Sequence, residues 1–305
     1  MSEKLALRES IYEKGYAPVG IDLGKSDLQT AMDRYLAFLE LDDSFHKITR
    51  FMLTNRGDGD FGQYTRVAGR TGERGVQADN KDIFHFGSMT RQIIEARVSG
   101  ALPTEAKDFL DAAEEIYWAG QRAKKQAIEE LDYFEMGLVG VLSPETETIN
   151  DVLRFIAYYP NQGALAKGHF DRSTATLAIG ESHEGLRIAP GQNGYRLNAD
   201  ESYMAKLEQS LQPVTHNEGE AKFFLGAGWN RLPDYLRLGN EDRPLAWHDV
   251  VPSDKKVDET IMRWAIVMFI NPHLGFHDYV VPSQPETRPN KRLGRLVGSN
   301  ELMLV

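Results

Sequence analysis

The run from His169 to Leu177, His-Phe-Asp-Arg-Ser-Thr-Ala-Thr-Leu, sets an imidazole and a carboxylate two residues apart in an alternating, Thr-rich stretch. Such a stretch predicts a strand, and residues two apart on a strand share a face. His169, Asp171, Ser173, Ala175 and Leu177 are therefore expected to line one side together. A ring nitrogen and a carboxylate oxygen presented side by side need one further His to make a two-His-one-carboxylate set. That set occupies one face of Fe(II) and leaves positions open for oxygen and a chelating co-substrate. A His-x-Asp pair alone is a weak signal, because most such pairs are surface residues.

Two histidines compete for the third position. His248 lies in Trp247-His248-Asp249-Val250, an apolar context, and His216 in Val214-Thr215-His216-Asn217-Glu218-Gly219, a polar, turn-like one. His273 and His277 have the four-residue spacing of a helical metal pair, but Pro272 and Gly275 argue against a helix, so both are read as surface residues. Gly57-Asp58-Gly59-Asp60-Phe61-Gly62 matches Gly-x-Gly-x-x-Gly literally. No strand signal precedes it and its two Asp would repel a pyrophosphate, so it reads as a loop.

Composition narrows the classes of function. The 305 residues can bury a sizeable core, and the formal net charge of −10 argues against a nucleic-acid surface, which needs clustered Lys and Arg. The absence of cysteine removes disulfides, thiolate nucleophiles and Cys-ligated metal sites together. No apolar targeting segment opens the chain, and the longest apolar run, Trp264 to Ile270, is far too short to span a bilayer. A cytoplasmic protein with no membrane partner is the expectation.

The elements that must position these residues are legible in outline. Tyr16 to Ile21 predicts a first strand, and Ser26 with Gln29 a capping box for a helix carrying Leu28, Met32, Tyr35, Leu36 and Leu39. Residues 55–81, rich in Gly, Asp and Arg, predict a long surface loop. A long helix is expected from Thr104 to Leu131, burying Phe109, Ala113, Ile116, Gly120, Ala123 and Ala127 and turning Glu114, Glu115, Lys124 and Lys125 to solvent. After Pro144 the chain becomes a series of short β-like runs: 153–159, 168–179, 185–188, 222–225, 245–251 and 262–270. Many short strands separated by Gly, Pro and Asn suggest a sandwich or barrel.

The order of these motifs resembles the isopenicillin N synthase-like group of Fe(II)/2-oxoglutarate-dependent dioxygenases. The resemblance is carried by Tyr158-Tyr159-Pro160, His169-Phe170-Asp171-Arg172-Ser173-x-x-Thr176-Leu177, Phe223-Phe224-Leu225-Gly226, Trp247-His248-Asp249-Val250, Arg263-Trp264-Ala265-Ile266 and Asn271-Pro272. It is specific over residues 150–282 and looser over 1–100, where Gly15-Tyr16 and Asp82 to Gly87 agree.

The resemblance implies a mainly β core with flanking helices, a distorted double-stranded β-helix or jelly roll. It divides the chain into an N-terminal helical cap region at 1–145, an oxygenase core at 146–282 and a tail at 283–305. It implies Fe(II) held by His169, Asp171 and His248, with Arg263 gripping the far carboxylate of the co-substrate 2-oxoglutarate and Tyr159 beside it. The implied reaction consumes O2, hydroxylates a small molecule and releases succinate and CO2. Asp171 speaks against halogenation, since halogenating relatives replace that carboxylate with a small residue.

The chain departs from the pattern in three places. Ala265 stands where the group often has Ser or Thr, and the intervals from His169 to His248 and from His248 to Arg263 are long. Ala265 keeps open an iron-dependent oxidase that does not use 2-oxoglutarate; a non-catalytic ligand-binding jelly roll is the rival of another class. Arg263 could also be a structural ion pair with a neighbouring carboxylate. Asn198 to Gln212 has a helix-like pattern in the long interval, and we read it as a lid over the iron pocket or as a surface insertion.

Overall fold

The computed structural model describes residues 2–49, 64–67, 81–132, 137–143, 150–159, 165–191, 201–233, 236, 244–253 and 255–272. In chain order the first half contains α1 (Ser2–Lys14), β1 (Ala17–Gly20), α2 (Lys25–Leu39), α3 (Asp43–Thr49), β2 (Tyr64–Val67), β3 (Lys81–Phe86), α4 (Thr90–Arg97), α5 (Thr104–Leu131) and α6 (Leu138–Leu142). The second half contains β4 (Val152–Tyr158), β5 (Ala166–His169), β6 (Ala175–Glu181), β7 (Leu186–Ile188), α7 (Glu201–Ser210), β8 (Gln212–Pro213), β9 (Glu220–Leu225), β10 (His248–Val250) and β11 (Arg263–Ile270).

Among the described residues the strands form two antiparallel sheets. The larger has the order β1-β9-β6-β11-β4-β3-β2 and the smaller β5-β10-β7-β8. Strand alternation explains why the larger sheet is buried on both faces. On β11, Trp264, Ile266, Met268 and Ile270 join the helix-side core, while Ala265 and Val267 belong to a second apolar cluster. On β4 the same division sends Leu153, Phe155 and Ala157 to the helices and Ile156 and Tyr158 to the second cluster. That second cluster also takes Leu186, Ile188, Val214 and Val250 from the region of the smaller sheet, so it is the layer between the two sheets.

Helices α2 and α5 cover the other face. Gly120 of α5, on the buried stripe, lets the helix approach β11 closely: a Cβ there would lie 2.5 Å from Met268 Cε. Phe38, Phe84, Phe109 and Phe155 interlock between helix and sheet, with Phe38 and Phe109 centroids 4.9 Å apart. Strands β1, β2 and β3 belong to the larger sheet, so residues before 145 contribute strands as well as helices to the core layer. Among the described residues no helix is long and apolar enough to cross a membrane.

Four sequence expectations change. The His169–Leu177 strand is broken: β5 ends at His169, β6 begins at Ala175, and Asp171 lies in the turn between them. Helix α2 begins at Lys25, before the expected Ser26 cap, and Asp27 Oδ2 accepts the Gly24 N–H at 2.7 Å instead. Within the expected loop of 55–81, Tyr64–Val67 forms β2 against β3. Lys124 is not on a solvated face; it is 2% exposed and pairs with Asp151 at 2.7 Å. The glycine-rich run at 57–62, His273, His277 and the tail at 283–305 lie outside the described residues.

Candidate active site

His169 and His248 are brought together by pairing of the strands that end and begin with them, since β10 runs antiparallel to β5 with His248 opposite His169. Their ring centroids are 4.3 Å apart. Asp171 reaches the same place from the turn after β5. His169 Nε2 lies 3.5 Å and His248 Nε2 3.7 Å from Asp171 Oδ1. One ligand atom from each of the three lies within 4.8 Å of the others.

The turn is held by what lies beneath it. Ala227 N–H donates to the Asp171 carbonyl at 2.6 Å, and Gly228 N–H to the Ser173 carbonyl at 2.9 Å. Gly226 and Gly228 permit this approach, because a Cβ on Gly226 would come within 2.8 Å of the Asp171 carbonyl and one on Gly228 within 2.7 Å of Ser173. The Phe223-to-Gly226 segment and the 3-10 turn Ala227–Arg231 therefore seat the carboxylate ligand from below.

Hydrogen bonding has assigned each ligand atom. His169 Nδ1 faces the Lys167 carbonyl at 2.7 Å and His248 Nδ1 the Ala246 carbonyl at 3.1 Å. A carbonyl only accepts, so each Nδ1 carries the proton and each Nε2 keeps its lone pair for a metal. Thr176 Oγ1 donates to Asp171 Oδ2 at 2.7 Å, leaving Oδ1 toward the histidines. Burial would raise the Asp171 carboxyl pKa, but the two histidines and Thr176 outweigh it and hold it well below the usual carboxylate range. Burial pushes the His248 imidazole down, which favours its neutral, metal-binding form.

This donor set fits one divalent ion. Ligand atoms at right angles around a metal, each about 2.1 Å from it, are about 3 Å apart, so a small contraction of the observed spacing would complete the coordination. Two nitrogens and one oxygen on one side leave the opposite side open, as an oxygen-activating Fe(II) site requires. His169 is the ligand residue most open to solvent, with 45% of its side chain accessible against 7% for His248.

Arg263 stands at the start of β11. It is 2% exposed, ion-paired through Nη2 with Glu181 Oε2, and its guanidinium carbon lies 5.5 Å from the Tyr158 ring centroid. The neighbouring-carboxylate reading of Arg263 thus has a physical partner, yet Nε and Nη1 remain buried with no hydrogen-bond partner among the described residues. Gly185 lies against this group, where a Cβ would stand 2.8 Å from Nε.

Tyr159 is placed elsewhere. Its hydroxyl donates to Asp82 Oδ2 at 2.5 Å and its ring packs on the helix-side core, whereas Tyr158 turns inward beside Arg263. One residue along a strand reverses the face, and the adjacent tyrosines are indistinguishable by type alone. His216, the rival ligand, is outside the metal cluster: its Nδ1 faces Glu181 Oε1 at 3.1 Å. Glu181 and Gly228 were not singled out from the sequence, and Thr176 and Gly226 stand in the motifs quoted above without a role assigned to them.

Helix α7 (Glu201–Ser210) occupies the segment read as a lid or a surface insertion. Leu207 is buried in a small cluster with Trp247 and Ala189, and Tyr203, Met204, Leu211 and Phe170 pack onto it. Phe170 and Trp247 are the neighbours of His169 and His248, and their rings meet edge to face with centroids 5.1 Å apart. Both lie just outside β5 and β10, and their side chains join the cluster with α7. The helix therefore braces the back of the metal-binding strands, and Gly168 admits the indole, since a Cβ there would lie 2.6 Å from Trp247.

No protein-family model matches the chain, and neither does any curated protein. Solved structures do match. A putative 2OG-Fe(II) oxygenase family protein from Caulobacter crescentus aligns with a TM-score of 0.56 at 18% identity, covering 88% of this chain and 81% of its own. A putative oxygenase from Shewanella oneidensis aligns at 0.55 and 15% identity, covering 88% and 87%. The dioxygenase for auxin oxidation 1 from Arabidopsis thaliana, in its binary complex with 2-oxoglutarate, aligns at 0.53 and 14% identity, covering 88% and 87%. The chain has the fold of these 2-oxoglutarate/Fe(II) oxygenase structures, mostly β sheets with helices.

Proposed function

We propose that this chain is an Fe(II)- and 2-oxoglutarate-dependent oxygenase that hydroxylates a small molecule, built on a distorted double-stranded β-helix at residues 146–282 with residues 1–145 packed against it. The observation that carries the reading is the metal cluster of His169, Asp171 and His248, in which every non-ligating atom already has its own partner. Arg263, with two buried nitrogens left over, supports the co-substrate. Nη1, together with the second N–H of Nη2, forms the free edge of this guanidinium and suits the far carboxylate of 2-oxoglutarate through charge-assisted bonds, while Nε faces Gly185.

Fe(II) with bound 2-oxoglutarate supplies the oxidation: one atom of O2 enters a substrate C–H bond, and the other enters the succinate formed with CO2. The protein's share is orientation and exclusion of water. Thr176 and the carbonyls of Lys167 and Ala246 fix the ligand atoms, and Arg263 aligns the co-substrate along β11. Phe224, 5.1 Å from the His248 ring, belongs with Ile156, Ala178, Val250 and Ala265 to the apolar layer between the sheets, which would limit water beside the metal group. Tyr158 replaces Tyr159 as the tyrosine on the co-substrate side.

The oxidase reading, without 2-oxoglutarate, draws on Ala265 and on Glu181 already neutralising part of Arg263. Succinate assayed under air with Fe(II), 2-oxoglutarate and candidate small molecules separates the two. The oxygenase reading expects succinate that depends on both additions. Oxygen uptake that proceeds equally without 2-oxoglutarate would establish the oxidase. A cytoplasmic setting, with O2 and a small-molecule substrate as partners, accords with this chemistry.

A further inference from the structure

Glu181 joins two cationic groups. Its Oε2 takes Arg263 and its Oε1 faces His216 Nδ1 at 3.1 Å, while His216 Nε2 faces the Ala178 carbonyl at 3.3 Å. The three side chains are buried or nearly so, at 2% for Arg263, 3% for Glu181 and 12% for His216. They come from three parts of the chain: β11, the end of β6, and the turn before β9.

Both atoms facing the imidazole are acceptors only. A neutral imidazole has one N–H and can satisfy one of them; the imidazolium satisfies both. Protonation also decides the local charge. With a neutral His216, Arg263 and Glu181 cancel, and a carboxylate arriving on the spare nitrogens of Arg263 would leave a buried net negative charge. With a protonated His216 the three groups sum to +1, and the arriving carboxylate brings the site to zero. An uncompensated charge in a dry site is costly, so the second state binds the anion better.

The other charges around the site include Lys81 on β3, whose ammonium lies 5.7 Å from the centroid of the Tyr158 ring that Arg263 also faces. Lys222 on β9 is committed to Glu220 at 2.8 Å. Glu184 accepts from Thr215 at 3.1 Å. His183, which burial and Arg263 push toward the neutral form, lies in the turn after β6, with Lys255 also in range.

We propose that Glu181 and His216 are positioning residues for Arg263, and that the site takes up a dicarboxylic 2-oxo acid together with one proton, held on His216. The inference rests on the co-substrate reading of Arg263 above. Glu181 fixes the guanidinium through Nη2 so that Nη1 stays available, and His216 offsets the charge of Glu181 when the ligand arrives. By linkage, whatever binds the protonated form more tightly also draws a proton onto it.

The test is calorimetric titration of 2-oxoglutarate into the Fe(II)-loaded protein without oxygen, from pH 6 to 9, in buffers of differing ionisation enthalpy. The ligand's carboxylates are ionised throughout that range. The wild type should take up about one proton per ligand on the alkaline side, with affinity falling about tenfold per pH unit there. His216→Gln should bind more weakly, with no proton uptake and a flat profile. Glu181→Gln, which keeps the shape and an acceptor for Arg263, should bind at least as tightly as wild type and also without uptake. His183→Gln should retain the wild-type profile. Binding without proton uptake in the wild type, or uptake that persists in His216→Gln, would overturn the inference while leaving the co-substrate reading intact. Failure of 2-oxoglutarate to bind wild type at any pH would overturn both.

Discussion

Thr176 at the start of β6 donates its hydroxyl to Asp171 Oδ2 at 2.7 Å, so the second atom of the carboxylate is committed before any metal arrives. Ser173 Oγ, 3.1 Å from the same hydroxyl, extends the arrangement back into the turn. Partners that orient ligands typically matter about 10–100-fold in metal affinity. Thr176→Val should therefore weaken Fe(II) binding by about that factor with little change in fold, read by anaerobic titration. Unchanged affinity would mean that the turn alone orients Asp171.

Helix α7 braces the metal-binding strands from behind through Leu207, Trp247 and Phe170. Truncating a fully buried Leu costs about 2–5 kcal/mol. Leu207→Ala should lower unfolding stability within that range and weaken metal binding, because Trp247 adjoins His248. If α7 acted as a lid instead, the variant would keep its metal affinity and form succinate without matching product.

Lys124 and Asp151 are 2% and 1% exposed and paired at 2.7 Å, with Gln121 and the Asn271 N–H also on the carboxylate. Removing one member of such a pair costs about 3–5 kcal/mol, because the other charge is left buried. Lys124→Met should show that loss in denaturant unfolding, and Lys124→Met with Asp151→Asn should recover much of it. A single variant as stable as wild type would refute the pair's role in fastening α5 to the sheet.

The elements most visible in the sequence were those with long, regular patterns. Helix α5 runs from Thr104 to Leu131 as its apolar spacing requires, and β4, β9 and β11 lie close to their apolar runs. Lys124 escaped because a helix face is inferred from its neighbours, whereas its partner Asp151 lies far along the chain. The three residues of the candidate metal group were visible by type, but not by the mechanism assumed. Asp171 sits in a turn supported by Gly226 and Gly228, a long-range contact that strand alternation cannot express. Glu181 was invisible for a related reason: a bulge at Ile266/Val267 shifts the register of β6 against β11.

Glu181 also links the site to acid stability. Burial would raise its carboxyl pKa, but the His216 hydrogen bond and the Arg263 charge prevail and lower it from 4.5. A depressed folded value means that the contribution is present above the unfolded pKa and lost as pH falls through the folded one. Unfolding free energy measured from pH 3 to 7 should therefore decline on the acid side, and Glu181→Gln should flatten part of that decline. An identical acid slope in the variant would show that Glu181 does not contribute.

Metal binding by His169, Asp171 and His248, and not by His216, underlies the chemistry proposed above. Anaerobic Fe(II) titration of wild type and the four single Ala variants tests it without any substrate. One site is expected in wild type, with at least about 100-fold weaker binding in His169→Ala, Asp171→Ala and His248→Ala, and near-wild-type affinity in His216→Ala. Loss of binding in His216→Ala together with retention in His248→Ala would overturn this ligand set.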